Sequence, residues 1–203
     1  MIKIIFFILI ILIIFRVFLK CNENFNTTLE ITSNSFEKDK LITQKHACLE
    51  KGGSDIIPHI YCKHPRNNKV QSYAIIIEDI DSPHERDTNW THWVVPNLGT
   101  IVDNKGNISN EFTIDSVEAF EFVNHSIGDE QRSISQGMNS WDTIGYRGMC
   151  PPKNIVHNYK ISVYALDNKI DDCENCTRNS LINKMNGHIL YSGATTFKFE
   201  SNK

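Results

Sequence analysis

Ser72-Tyr73-Ala74-Ile75-Ile76-Ile77-Glu78-Asp79-Ile80-Asp81-Ser82-Pro83 is the stretch whose reading decides the fold. Its first half, Tyr73 to Ile77, is apolar and β-branched and reads as a core strand. The chain then turns abruptly polar at Glu78 to Pro83, runs through a polar loop, His84 to Asn89, and becomes apolar again in Trp90 to Asn97. Two acids therefore close one core strand and His92 stands near the start of the next. Polar groups at the ends of core strands are candidates for a site. The competing reading makes the acids a turn cap and His92 a satisfied core histidine.

Outward from this pair, further strands can be read. Leu29 to Phe36 alternates weakly, as an edge strand would. Ile56 to Cys62 reads as a strand with Pro58 near its start, where a missing N–H is tolerated. Lys51 to Asp55 is a glycine loop and His64 to Lys69 a polar turn. Beyond the pair, Gly99 to Asn110 is loop. Residues 111–144 show no sustained period, and Asn124 to Asn139 reads as a long polar excursion. Gly145 to Pro152, with Gly148, Pro151 and Pro152, excludes a helix and fixes a stiff bend. The strand that follows His157 is the clearest in the chain. Tyr159, Ile161, Val163 and Ala165 face one way; Lys160, Ser162, Tyr164 and Leu166 face the other. Arg178 to Met185 fits a short helix with Leu181, Ile182 and Met185 on one face, and Thr195 to Phe199 a last strand. No repeat or linker interrupts the order, so residues 29–203 are expected to form a single, mostly β domain.

The N-terminus is different in kind. Lys3 precedes an unbroken apolar run, Ile4 to Phe15, and Arg16 and Lys20 follow. This fits a secretory signal peptide over residues 1–21, trailed by a polar lead, 22–28. The run falls short of the roughly 20 residues of a membrane span. A signal anchor in the secretory pathway is the alternative, since no small-residue cleavage site is clear. The expected location is therefore secreted, with no stable membrane span after cleavage. The chain of 203 residues carries a net charge of −3. Residues 1–21 hold three basic residues and no acid, so without them the net becomes −6. That balance argues against nucleic acid as a partner. Cys48, Cys62, Cys150, Cys173 and Cys176 remain, an odd number for a secreted chain. Cys173-Glu174-Asn175-Cys176 lacks the second pair of a zinc ribbon and reads as a local disulfide or two idle thiols. Acceptor sequons for N-glycosylation lie at Asn26, Asn89, Asn107, Asn124 and Asn175.

With these pieces in order, the chain resembles the phosphatidylethanolamine-binding protein family, also called Raf kinase inhibitor proteins, and most of all its bacterial and archaeal branch. Asp79-Ile80-Asp81-Ser82-Pro83 stands where the family has Asp-Pro-Asp-Ala-Pro. His92-Trp93-Val94-Val95 matches its His-Trp-Val-Val strand start, with Pro96 inserted before Asn97. Gly145 to Pro152 matches the family's Gly-Tyr-x-Gly-x-x-Pro-Pro bend. His157-Asn158-Tyr159 matches His-Arg-Tyr and continues in Val163 to Asp167; Gly187 to Leu190 also has its counterpart. The resemblance covers about residues 29 to 200. It implies a β-sandwich with a few short peripheral helices, and a small anion pocket for a phosphate or phospholipid head group such as phosphoethanolamine. It places Asp79, Asp81, His92, Gly148, Pro151, His157 and Tyr159 in that pocket. The segments matching Cys48 and Cys150 lie near it in the bacterial branch, so a disulfide between them is one expectation and two buried thiols the other. Asn89 would sit at the pocket mouth, so it is expected to carry no glycan even if Asn26, Asn107, Asn124 or Asn175 does. Ile80 in place of proline, and Asn158 in place of arginine, are departures at the site itself.

Two carboxylates beside an anion pocket call for an explanation. An acid can accept from one nitrogen of His92 or His157, orienting the ring so that its other nitrogen serves the pocket; the nearby negative charge also favours a cationic His92. Alternatively, an acid can meet the ammonium of a zwitterionic head group. The same His and Asp residues could hold a metal or act as acid and base. No nucleophile elbow, His-Glu-x-x-His or phosphate-cradling glycine loop is present, so the reading is a binding protein without a cofactor rather than an enzyme. Inhibition of a protease or kinase through protein contacts is a third reading, with no sequence feature to mark the surface.

Overall fold

Tyr73 to Asp79 are buried without a break, so this strand lacks the alternation of a sheet with one wet face. The reason is that both faces of its sheet are covered. In the computed structural model, which describes residues 28–102, 105–116, 134–173 and 175–202, the strands are β1 (Glu30–Thr32), β2 (Ile60–Lys63), β3 (Ser72–Pro83), β4 (Asn89–Gly99), β5 (Glu111–Ile114), β6 (Val156–Leu166) and β7 (Ile189–Glu200). One helix, α1 (Arg178–Met185), and short 3-10 turns at Gln44–His46 and Leu49–Lys51 complete the described elements. A four-stranded antiparallel sheet runs β4-β3-β6-β7 and a three-stranded one β1-β2-β5. The mostly β architecture expected from the sequence is therefore the one observed.

One face of the large sheet, with Tyr73, Ile75, Ile77, Trp93, Val95, Tyr159, Ile161 and Val163, packs with Ile60, Cys62, Phe112 and Ile114 of the small sheet. Its other face buries Ala74, Ile76, Val94 and Leu166 under Leu181 and Met185 of α1 and the Cys173–Cys176 disulfide. The two-faced division read from β6 holds, since Tyr159, Ile161, Val163 and Ala165 join the first cluster and Leu166 the second. Helix α1 has the expected bounds and starts at Thr177, whose side chain accepts from the Ser180 N–H.

Two irregularities in β4 matter. Ile77 pairs with Trp93 and Glu78 with Thr91, which leaves His92 as the extra residue of a β-bulge. A second slip, between Tyr73–Leu98 and Ile75–Val95, absorbs Pro96 and Asn97 where proline cannot donate to the ladder.

Several expected bounds are corrected. The strand at Ile56–Cys62 is confined to Ile60–Lys63, with Pro58 outside the ladder. The edge strand near Leu29 is only Glu30–Thr32, whereas the last strand starts at Ile189 rather than Thr195. Strand β5 lies in the stretch that showed no period. The end of the polar excursion is buried, because Gln136 Oε1 accepts from the Trp93 indole N–H at 2.6 Å. The leader 1–21, the lead up to residue 27, Asn26, Asn124 and residues 117–133 lie outside the described residues. No helix among the described residues is long and apolar enough to cross a membrane.

Candidate functional site

Strand register places the first row of the site. Asp79 on β3 is flanked by Trp90 on β4 and by Tyr159 on β6, and Tyr159 in turn by Phe197 on β7. Strict alternation from Trp93 would turn His92 to the opposite face. The bulge instead brings its ring against Tyr159, centroids 5.4 Å apart, on the same face as Asp79. Asp79, Ser82, Trp90, His92, Trp141 and Cys150 line a cavity of about 240 Å³.

Asp79 is 3% exposed. Its Oδ2 lies 2.7 Å from His157 Nδ1 and its Oδ1 accepts the Asp81 N–H at 3.0 Å. Ser82 Oγ lies 3.3 Å from that same His157 nitrogen. His92 is 1% exposed, and its Nδ1 lies 2.8 Å from the Arg147 carbonyl. A carbonyl only accepts, so Nδ1 carries the hydrogen. Burial lowers the His92 pKa, with the Arg147 carbonyl and the Asp79 charge opposing in part. Desolvation outweighs the nearby carboxylate, so burial works against the cationic form of His92 that the sequence led one to expect.

Burial, then the charge and contact of Asp79, push the Tyr159 hydroxyl well above its ordinary pKa. Asp79 is near enough for that effect, yet the hydroxyl has no partner at good hydrogen-bond geometry, and neither has the buried indole nitrogen of Trp90. Buried polar atoms normally have partners, so two unmet donors beside one cavity are a mark of a site. The outer wall is aromatic. Trp141 meets Trp90 edge-on at 5.1 Å and His92 at 5.0 Å, and the Arg147 guanidinium lies 4.6 Å over the Trp141 ring while pairing with Glu50. Asn139 knits the Trp141 loop by accepting from the Trp141 and Thr143 N–H groups and donating to the Gly145 carbonyl. Arg86 ties that loop to the one before β4 through the Asn139 carbonyl and Asp142.

Not every expected residue reaches the cavity. Asp81 is exposed and turned to Asn158, accepting from its backbone N–H at 2.8 Å and its side-chain amide at 2.7 Å. The residue that replaces the family's arginine thus holds the second acid outward. The Gly148 N–H, expected to serve a ligand, donates to Asp55 Oδ1 at 2.7 Å. A Cβ on Gly148 would come 2.5 Å from Ala47 and His46 backbone atoms, so its bareness serves close packing rather than the ligand. His157 supports Asp79, Tyr159 stands behind His92, and Pro151 is buried without lining the cavity. Cys48 and Cys150 form a disulfide, with Cα atoms 5.5 Å apart. Sequence reasoning passed over Trp90, Trp141 and the Arg147 carbonyl. Trp90, first apolar residue after the acid-bearing turn, carried a usable signal; the other two did not.

Among the described residues, the metal-ligating atoms grouped together are those of Cys48, Glu50 and Cys150, and two of these are joined in the disulfide. A larger hollow, about 540 Å³, lies at α1 beside Asp172, Asn175, Cys176, Ser180 and Lys184. None of the partnerless buried polar atoms belongs to it, so the smaller cavity is the stronger candidate.

Comparison with known proteins bears on this arrangement. The sequence model described as phosphatidylethanolamine-binding protein matches residues 32–200. A UPF0098 protein of Chlamydia trachomatis is 31% identical over 164 residues, 80% of this chain and 92% of the relative. One of Pyrococcus horikoshii is 29% identical over 83% of this chain and 75% of its own length. The crystal structure of CT736 from Chlamydia trachomatis, described as a homologue of phosphatidylethanolamine-binding protein, superposes with a TM-score of 0.65 at 27% identity, covering 86% of this chain and 98% of that one. YbcL of E. coli superposes at 0.66 and 23% identity, over 85% and 98%, a likeness of fold.

Proposed function

The chain belongs to the phosphatidylethanolamine-binding protein family, and from that premise we propose that it is a secreted binding protein whose ligand is a small phosphate-bearing anion of the phosphoethanolamine class. The observation that carries the reading is the cavity where Asp79, Trp90 and His92 converge beside two buried donors without partners. Trp90 brings an indole N–H to the wall of the cavity, with the Tyr159 hydroxyl behind His92. Asp79 offers an acceptor for an ammonium or hydroxyl on the same ligand. The edge-on Trp90–Trp141 pair gives the cavity an apolar wall, beside which such contacts are stronger than in water.

Binding without catalysis fits the wiring of the polar groups. Ser82 and Asp79 both address Nδ1 of His157. A base-activated nucleophile needs its hydroxyl on one ring nitrogen and the orienting acid on the other. Export is proposed on the run Ile4–Phe15; a soluble cytosolic pool that keeps Met1 would refute it.

The binding test is calorimetric titration of phosphoethanolamine into wild type and His92→Ala. Loss of a hydrogen bond to a charged group is worth about 1.5–3 kcal/mol, roughly tenfold to over a hundredfold in affinity. Equal affinities would remove His92 from the site.

A further inference from the structure

We propose that Ser82 is the hydroxyl by which the cavity grips an oxygen of its anionic ligand, a contact that the alanine of the family's Asp-Pro-Asp-Ala-Pro motif could not make. The inference rests on the phosphate-pocket reading above and names the side chain that reads the phosphate. Local geometry brings Ser82 there. Asp79 pairs with Trp90 and Pro83 with Asn89, neighbours on β4, so Ile80, Asp81 and Ser82 bulge out of β3 between them. Strict alternation from Asp79 would turn Asp81 to the cavity and Ser82 away from it. The bulge reverses the two. Asp81 turns outward to Asn158, and Ser82 joins Asp79 in lining the cavity. The Asp81 N–H, given to Asp79 Oδ1 at 3.0 Å, braces the bulge in that shape.

The hydrogen bonds leave the Ser82 proton unspent. Asp79 Oδ2 lies 2.7 Å from His157 Nδ1, and Ser82 Oγ lies 3.3 Å from the same atom. A carboxylate only accepts, so Nδ1 carries the hydrogen, and this holds whether the ring is neutral or charged. A ring nitrogen that carries a hydrogen cannot accept another. Ser82 therefore turns a lone pair to the ring and keeps its own O–H for the cavity. Its side chain is half-buried, so a ligand can reach it. The other donors nearby are hidden or engaged. The Trp90 indole nitrogen is buried, His92 spends Nδ1 on the Arg147 carbonyl, and the Gly148 N–H is taken by Asp55. Arg147 is held by Glu50 over Trp141, and no lysine or arginine is among the residues that line the cavity. Each oxygen of Asp79 already meets a donor, His157 or the Asp81 N–H, which offsets its repulsion of an anion beside it. With no cation on the wall, an open hydroxyl carries a larger share of the grip on a charged oxygen.

Calorimetric titration of phosphoethanolamine and of inorganic phosphate into wild type, Ser82→Ala and Ser82→Thr tests the assignment. Ser82→Ala should weaken both ligands about tenfold, the lower end for a hydrogen bond to a charged group because water reaches the side chain. Ser82→Thr keeps the hydroxyl and should restore most of the affinity for both. The three proteins should melt together, since the Ser82 side chain is half-buried and its hydrogen bond to His157 is long. Ser82→Ala binding phosphoethanolamine as tightly as wild type overturns the inference and leaves the pocket in place. A loss for phosphoethanolamine alone, with inorganic phosphate unchanged, also overturns it, the hydroxyl then serving the ethanolamine end. A loss that Ser82→Thr shares in full overturns it too, the space rather than the hydroxyl then deciding. If neither ligand binds the wild type, the phosphate reading itself falls.

Discussion

Removing the Cys48–Cys150 disulfide should destabilise the domain far more than removing Cys173–Cys176, while leaving the cavity formed. The first bridge spans a sequence separation of 102 and the second of 3. In the chain-entropy account a closed loop of about 100 residues is worth about 4.7 kcal/mol, and the same relation gives about 2 kcal/mol for the short loop. For a domain of this size each kcal/mol moves Tm by about 2–4 °C. The Cys48→Ala, Cys150→Ala double variant should therefore melt roughly 10–18 °C lower, and the Cys173→Ala, Cys176→Ala variant roughly 4–8 °C lower. The folded state has other ties at the same place. The Cys48 N–H donates to the Met149 carbonyl at 3.0 Å, Asp55 holds Gly148, and Glu50 pairs with Arg147. The stabilisation thus acts on the unfolded chain, and the Arg147 carbonyl stays under His92. Calorimetric melting of both variants, with reduced wild type as a control for the small loss of packing, measures the difference. Equal or reversed losses would refute the loop argument. Because Cys150 itself lines the cavity, the readout is the near-ultraviolet signal of the packed Trp90 and Trp141 rings; its loss below the transition would refute the claim that the other ties suffice.

Other outcomes follow from burial. His46, His64 and His92 each have a pKa lowered chiefly by desolvation. The unfolded chain takes up those protons first, near pH 6.5, so their contribution to stability is full above that pH and is lost progressively as pH falls toward the folded-state values. A Tm that stays level between about pH 7.5 and about pH 5 would contradict this. Burial pushes the Cys62 thiol up to about 12, and it should resist a thiol reagent until the domain unfolds; rapid labelling of native protein at the Cys62 peptide would count against it. The Asn89 side chain donates to Glu78 at 3.0 Å, whereas Asn107 and Asn175 are exposed. Glycopeptide mapping should find Asn89 bare even where the other two are occupied.

Strands β3 and β4 were legible because burial writes a plain apolar run into Tyr73–Ile77 and Trp93–Val95, and β6 because its residues alternate between two covered faces. The helix was legible through its spacing. Strand β5 was not, since four residues with Phe112 and Ile114 inward are too few to display a period. Trp141 was hidden for a different reason: its loop is held by the side chain of Asn139 rather than by a ladder, and such bonds leave no pattern of hydrophobicity. Asp79 and His92 were marked by their places at the ends of core strands, and His157 and Tyr159 by resemblance, but their roles were not legible. Whether an acid faces inward depends on partners such as Asn158, and whether a histidine is charged depends on how deeply it lies.

The bulge at His92 gives this scaffold an unusual genetic property. Because Ile77–Trp93 and Glu78–Thr91 are already in step on either side of it, excising the single codon for His92 would close the ladder rather than shift it. Trp93 would keep its place in the core, Trp90 would still face Asp79, and the strand would read as an ordinary one. A substitution at this position leaves the extra residue in a distorted strand, whereas a one-residue deletion would remove the imidazole and the extra backbone unit together. A single in-frame deletion here would therefore remove a histidine from beside the cavity while the paired residues on either side keep their register.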